Sequence, residues 1–475
     1  MSDWSHGYDV STEYSYGFYR EMGPDWLDLC AWIGGFDPPR RQGSFRYLDL
    51  GCGQGFGLCL LAAANPKAEF VGIDFQPEHI AHGQGLAEAA GLSNVRFIQA
   101  DFLDLAADWP ADLGTFEYVV LHGILSWVSP SLRDAVTTCL SHGTASGGLV
   151  YVSYNAHPGC LSTIPLQHLS QLIRKSSDKQ GAAAVEASIS LLDRLSAAGA
   201  PVFQVLPALK ARVEALKGRD KNYLAHEYLT ESWRPFWHSE VAGRFRRAEL
   251  DYVGSATMAD NLTTEFLPPA LHQAVTEQES AELRQDLQDL IINQAFRRDI
   301  YCRGATARGT RNSASKDTLP VYLAASVDRA STLSFATSFG QVSFDPAIFT
   351  PTIDALRNGA KSLAELFRLP NATPWQPRHI LLLLLHANVL APEAAEPGDI
   401  KIAQRLNAVI ARAATENAPY EYLAAARLGS AIQANASDLA LLRNWMESAG
   451  GISQSLPPAF LTDTLPRWQQ LGVVE

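Results

Sequence analysis

Cysteine is scarce in this chain of 475 residues: six stand at positions 30, 52, 59, 139, 160 and 302, with no CxxC pair among them. That spacing argues against a disulfide framework or a thiolate zinc site, and it suits reduced thiols in a cytoplasmic protein. Long apolar runs are missing too. The longest purely aliphatic stretch, Ile380 to Leu385, falls far short of the roughly 20 residues a membrane span needs, and the polar, acidic start does not read as a targeting signal. Positive charge is in deficit, with 38 Lys+Arg against 50 Asp+Glu and a net charge of −12. Neither nucleic acid nor membrane is therefore an expected partner. No GxxxxGK[ST] or GxSxG motif occurs, so a P-loop and a hydrolase elbow are not expected. Length alone points to two to four domains, at roughly 100 to 200 residues each.

What is present centres on Tyr47-Leu48-Asp49-Leu50-Gly51-Cys52-Gly53-Gln54-Gly55-Phe56-Gly57. A short apolar run that ends in glycines reads as a buried strand, a tight turn and a helix start. Glycines at Gly51, Gly53 and Gly55 let a backbone approach a ligand that side chains would displace. Strand patterns recur at Arg46 to Leu50, Glu69 to Asp74, Val95 to Ala100, Phe116 to His122 and Gly148 to Asn155, with helical text between them. The alternation predicts a parallel, doubly wound α/β sheet, whose ligands bind beyond the carboxyl ends of the strands. Asp49, Asp74, Asp101 and His122 should meet there.

Those acids read as a nucleoside signature. Asp74 can accept from both ribose hydroxyls, and Asp101 with Phe102 can meet an adenine edge, with Cys52 and Phe75 beside them. Asp49 suits a ligand that carries a cation and would repel a pyrophosphate. The turn is GxGxG rather than the GxGxxG of dinucleotide folds. Both features favour S-adenosylmethionine over NAD.

With Leu48 to Gly55, Gly72-Ile73-Asp74, Ala100-Asp101-Phe102 and Phe116 to Val120, the chain resembles the class I S-adenosylmethionine-dependent methyltransferases. Through His122 to Val128, Tyr151 to Asn155 with Pro158-Gly159, His226 to Leu229, Leu250 to Gly254 and Asn293 to Asp299, it more narrowly resembles the bacterial members with a methyltransferase regulatory domain. That group includes the lysine methyltransferases of rickettsial outer-membrane proteins. The resemblance covers roughly the first 300 residues. It implies methyl transfer to lysine side chains of a protein partner, S-adenosylhomocysteine as product, a Rossmann-like core and a possible homodimer. The alternatives are a methyltransferase for a small molecule or glycan, and a non-catalytic S-adenosylmethionine-binding interaction protein.

The expected organisation is an aromatic arm or lid over 1–42, the methyltransferase core over 43–160 and 246–304, and a helical insertion over 161–245. A polar linker over 305–320 then leads to a winged-helix-like α+β part over 321–475. One long helix is expected from Pro269 to Gln294, and helical text from Ile400 to Leu471.

Displacement at a sulfonium carbon needs alignment rather than a metal, so no metal is expected. A lysine acceptor must also lose its proton, since its ordinary pKa is about 10.4. His122 is the expected group near the transferring methyl, and Trp127 and Tyr154 the expected walls of an acceptor channel. Tyr14 or Tyr16 could lie over the ligand from the arm. His226 and Glu227 are weaker candidates on the insertion. His79 and His82 have HxxH spacing but read as a surface helix without a third ligand, and Arg244, Arg246, Arg247, Arg297 and Arg298 read as solvated faces or structural ion pairs.

Overall fold

The computed structural model describes residues 16–39, 44–305, 319–325, 330–357, 359–370, 375–413, 420–447 and 456–475. Tyr14 and most of the expected linker lie outside them, as does the side chain of His226.

Strands β1 (Arg46–Leu50), β2 (Glu69–Asp74), β3 (Val95–Gln99), β4 (Phe116–Leu121), β5 (Thr144–Asn155), β6 (Leu250–Ser255) and β7 (Phe296–Arg303) form one sheet in the order β3-β2-β1-β4-β5-β7-β6. The first five strands run parallel, and β7 pairs antiparallel with both β5 and β6. Helices α1 (Pro24–Ile33), α2 (Phe56–Ala64), α3 (Pro77–Ala90), α4 (Phe102–Ala107) and α5 (Pro130–Gly143) accompany the parallel strands. The strands read as near-continuous apolar runs because helices cover both faces.

The period of two sorts each strand between those faces. Tyr47, Phe70, Tyr118 and Tyr151 join one core with Trp26, Phe56 and Leu61. Leu48, Leu50, Val71, Val119, Val152 and Tyr154 join the other. The first core continues into C-terminal residues such as Leu381 to Leu385, Leu406 and Trp468. The run Ile380 to Leu385 is thus buried inside the helix Pro377–His386, at roughly 1.5 to 3 kcal/mol of hydrophobic stabilisation per large side chain.

Between β5 and β6 lie α6 (Ile164–Ser176), α7 (Ala182–Ala197), α8 (Val202–Val205), α9 (Pro207–Leu216), α10 (Lys221–Leu229) and α11 (His238–Arg246). Leu166, Val185, Leu209 and Tyr228 give the insertion a core of its own. The long helix expected over Pro269 to Gln294 is instead divided. After the short α12 (Thr263–Phe266) come α13 (Pro269–Thr276) and α14 (Ala281–Ile292), because the Ser280 hydroxyl accepts the Leu283 N–H at 3.2 Å and starts a new helix.

The C-terminal part holds more strand than expected. β8 (Pro320–Leu323) is flanked by β11 (Lys361–Ser362) and β12 (Leu390–Pro392), while β9 (Leu333–Thr337) pairs with β10 (Gly340–Phe344). Within the stretch expected to be helical, β13 (Tyr422–Ala425) and β14 (Ser430–Gln433) form a hairpin. Its alanine-rich strands have the composition of helix, and the left-handed Gly429, φ +57°, makes the reversal.

Candidate functional site

β1 delivers the chain into the glycine-rich turn, where Gly51, Gly53 and Gly55 have φ of +83°, +53° and +69°. A Cβ on Gly51 would meet Cδ1 of Ile124 at 2.5 Å, and one on Gly55 the Phe97 ring at 2.5 Å. Conformation and space both demand glycine there. The turn hangs on β2: the Gly51 and Cys52 N–H groups donate to the Ile73 carbonyl at 2.8 and 3.0 Å. The Gly53 N–H donates to Oδ2 of Asp74 at 2.9 Å.

Asp74 Oδ1 accepts from the Gln76 N–H at 3.0 Å and lies 3.3 Å from Nδ1 of His79. The carboxylate expected to hold a ribose therefore also braces the turn, and Oδ2, with the Gly53 N–H as its donor, keeps a further lone pair. His79 is 5% exposed, so α3 turns this histidine inward rather than to solvent as the HxxH reading had it. The i, i+3 spacing did put His79 and His82 on one face, but that face is the crevice side.

The crevice divides at Gly51 into two hollows. One is lined by Asp74, Phe75, His79, Asp101, Phe102, Ile124 and Trp127, the other by Gly17 to Tyr19, Asp49, Cys52, Gln54 to Gly57 and His122. The cofactor candidates named from the sequence that fall among the described residues line one or the other, with Tyr16 the exception. Tyr16 instead packs edge-on against His82 at 4.9 Å and Tyr420 at 5.6 Å. Tyr19 takes the place over the crevice, stacked on His122 with ring centroids 3.8 Å apart and planes 21° apart. Sequence reading missed it because eight aromatics crowd residues 4–32 without a pattern that orients them.

Asp49 carries the strongest electrostatic signal. It is 6% exposed, and its Oδ1 is buried with no hydrogen-bond partner among the described residues. Burial, and then the charge of Asp74, push its carboxyl up to about 8. A buried carboxylate oxygen of this kind, near the end of a strand and beside the crevice, fits a ligand with positive charge. The sulfonium and amino groups of S-adenosylmethionine meet that requirement. Asp101 caps α4, its Oδ1 accepting the Leu103 N–H at 2.7 Å. Burial raises the Cys52 thiol well above its ordinary value, which favours the protonated form.

His122 directly follows β4, one residue past the observed strand end, with Nδ1 2.8 Å from the Tyr151 hydroxyl. Burial, reinforced by the charge of Arg298, holds its imidazole down at about 3. It is neutral at physiological pH and a poor proton acceptor. The Arg298 guanidinium lies 5.0 Å from the Phe296 ring centroid, and that ring lies 6.0 Å from His122.

Two expected acceptor walls stand elsewhere. Trp127 lines the hollow of Asp74 and Asp101, on the side where the sequence reading expects the nucleoside. Tyr154, 1% exposed, donates to Oδ2 of Asp299 at 2.5 Å and lines neither hollow. Strand alternation sets it on the face opposite Tyr151. There Asp299 Oδ1 accepts from Nε of Arg297 at 2.9 Å, while Nη1 of Arg297 donates to Asp289 at 2.6 Å. His238 Nδ1 meets Asp299 Oδ2 at 3.0 Å. Burial, with Arg297 adding to it, lowers His238, so that contact is a hydrogen bond from a neutral ring. Arg297 is thus a buried ion-pair centre rather than part of a solvated face. Arg244 and Arg247 pair with Asp134, and Arg246 with Glu282. On the insertion, burial raises Glu227 to about 6. Among the described residues no cluster of three metal-ligating side chains is found, and no helix is long and apolar enough to cross a membrane.

Comparison with known proteins agrees with this geometry. Residues 42–199 match a family model described as a methyltransferase domain, and residues 220–303 one described as a predicted methyltransferase regulatory domain. An uncharacterized protein of Synechocystis sp. is 33% identical over 364 residues, covering 76% of this chain and 71% of the relative. An uncharacterized Rickettsia prowazekii protein is 27% identical over 291 residues, covering 60% of this chain and 50% of the relative. Among solved structures, PKMT2 from Rickettsia typhi shares the fold at 17% identity with a TM-score of 0.68, covering 96% of this chain and 99% of that one. The same protein in complex with AdoHcy gives 19% identity and a TM-score of 0.64, covering 90% of this chain and 87% of that one. The glycine turn, the strand-end acids and the matched domains place this chain in the family of class I S-adenosylmethionine-dependent methyltransferases that carry a methyltransferase regulatory domain.

Proposed function

We propose that the protein transfers methyl groups to lysine side chains of a protein partner. When bound, S-adenosylmethionine supplies a methyl group activated by its sulfonium for in-line displacement. Asp49, the glycine turn, Asp74 and the Asp101-Phe102 pair are the residues that would hold it. The observation that carries the acceptor assignment is the environment of His122. Burial and the nearby Arg298 guanidinium drive that imidazole to about 3, and the same two influences act on any amine placed beside it. A lysine, ordinarily about 10.4, would be pushed toward its neutral, nucleophilic form there.

Tyr19, stacked on His122, narrows that end of the crevice and presents an aromatic edge to an alkyl chain. His122 itself serves as a neutral hydrogen-bonding group held by Tyr151 rather than as the base, and the released proton leaves through water. The resemblance to the lysine methyltransferases of rickettsial outer-membrane proteins supports the same reading.

The test is transfer of tritiated methyl from S-adenosylmethionine to candidate bacterial proteins, followed by mass spectrometry. Methyl-lysine is the expected product. Labelled protein without modified lysine would remove the lysine assignment, and label confined to the low-molecular-weight fraction would replace the protein acceptor with a small molecule or glycan.

A further inference from the structure

We propose that His82 and Tyr420 are positioning residues for the cofactor turn, through which the C-terminal part of the chain sets the affinity for S-adenosylmethionine. The proposal rests on the cofactor assignment and is independent of the acceptor.

Gln54 is the middle residue of the last Gly-Gln-Gly step, and it lines the hollow that holds Asp49. Its carbonyl lies 2.6 Å from Nδ1 of His82, and Nε2 of the same ring lies 2.9 Å from the Tyr420 hydroxyl. A carbonyl can only accept, so Nδ1 carries the hydrogen. In the neutral ring Nε2 is then the acceptor, and the Tyr420 hydroxyl donates to it. The chain of bonds has one direction: Tyr420 O–H to His82, His82 N–H to the Gln54 carbonyl.

The bonds sit in a rigid frame. The Tyr420 ring stacks on Phe56, the first residue of α2, with centroids 4.7 Å apart. Tyr16 closes over both rings of the pair. At the other end of α2, the Asn65 amide donates to the Leu61 carbonyl at 2.9 Å and to the Gly429 carbonyl of the β13–β14 hairpin at 2.8 Å. C-terminal residues thus grip both ends of the helix that begins at the crevice.

Stiffness has to be imposed on this turn from outside. Three glycines at positive φ have little conformational preference of their own, so the geometry of the backbone depends on its partners. Ile73 and Asp74 hold the first half of the turn. His82 holds the second half, and its orientation is fixed by a residue 338 positions away in the chain. A turn held in its binding geometry before the ligand arrives binds more tightly, because less ordering remains to be done.

Calorimetric titration of S-adenosylhomocysteine into the full-length wild type, Tyr420→Phe, His82→Gln and the double variant tests this. Tyr420→Phe keeps the ring on Phe56 and removes only the hydroxyl. Each single variant is expected to weaken binding roughly five- to tenfold, the loss of one ordering hydrogen bond, while the free protein stays cooperatively folded with its unfolding midpoint lowered by no more than roughly 4 °C. The double variant is expected to bind no more weakly than His82→Gln alone, because the two residues act in series. Wild-type affinity in Tyr420→Phe would overturn the proposal, and so would losses that simply multiply in the double variant. A wild-type chain that bound no S-adenosylhomocysteine would overturn the cofactor assignment and this proposal together.

Discussion

Asp49 on β1 and Asp299 on β7 are both buried carboxylates in one sheet, 6% and 0% exposed, yet their electrostatic states are opposite. Burial works to raise both. At Asp299 it is outweighed by the Arg297 charge and by hydrogen bonds from His238 and Tyr154, which hold the carboxyl at about 2. At Asp49 nothing offsets it, the charge of Asp74 adds to it, and the carboxyl sits at about 8. A buried charge is costly unless paired. The fold surrounds Asp299 with partners and, among the described residues, gives Asp49 Oδ1 none, so the first is structural and the second is available to a ligand.

The largest effect that could break this comparison is on stability. Asp299→Ala leaves Arg297 buried with Asp289 as its remaining carboxylate partner, and should cost roughly 3 to 5 kcal/mol in urea unfolding, as breaking a buried ion pair does. A loss below about 1 kcal/mol, the range of an exposed pair, would show that the network is dispensable. Next in size, Asp49→Asn should reduce affinity for S-adenosylmethionine roughly ten- to a hundredfold, the range for hydrogen bonds to a charged group. Its unfolding midpoint at neutral pH should be unchanged or higher, since an amide avoids the cost of protonating a carboxyl that is ionised in the unfolded chain. Coincident loss of stability and binding would erase the distinction between the two acids.

The smallest and most specific effect is on pH. In the free protein the Asp49 carboxyl is neutral below about pH 8, whereas a cation beside it favours the charged form, so binding releases a proton. Affinity should rise with pH by up to roughly tenfold per unit between pH 6 and 8, and level off above that. Calorimetry in two buffers of different ionisation enthalpy reads the released proton directly. Asp49→Asn should abolish both the release and the slope.

Much of the cofactor half was legible in the sequence. Asp49, Asp74 and Asp101 close successive strands because apolar runs of that length, punctuated by glycine and acid, have few other readings, and the structure brings them together with His122 around Gly51. The acceptor half was far less legible. Tyr154 and Tyr151 are both aromatic strand residues, and only the facing of β5 shows that Tyr151 meets His122 while Tyr154 meets Asp299. Trp127 follows the same loop as His122, but the turn at Ile124 carries it into the hollow of Asp74 and Asp101. The hairpin at Gly429 was invisible for a related reason: alanine-rich strands have no local pattern that distinguishes them from helix.

By itself the sequence determined the parallel sheet, the glycine turn and the need for a cation-bearing nucleoside at its edge. These rest on local rules: a period of two, a φ only glycine adopts readily, and a carboxylate at a strand end. Only the tertiary structure decided which acid is left without a partner, that Tyr19 rather than Tyr16 covers the crevice, and that Tyr420 reaches Gln54 through His82. Those depend on contacts between residues up to hundreds of positions apart, set by the packing of whole elements, which no local periodicity encodes.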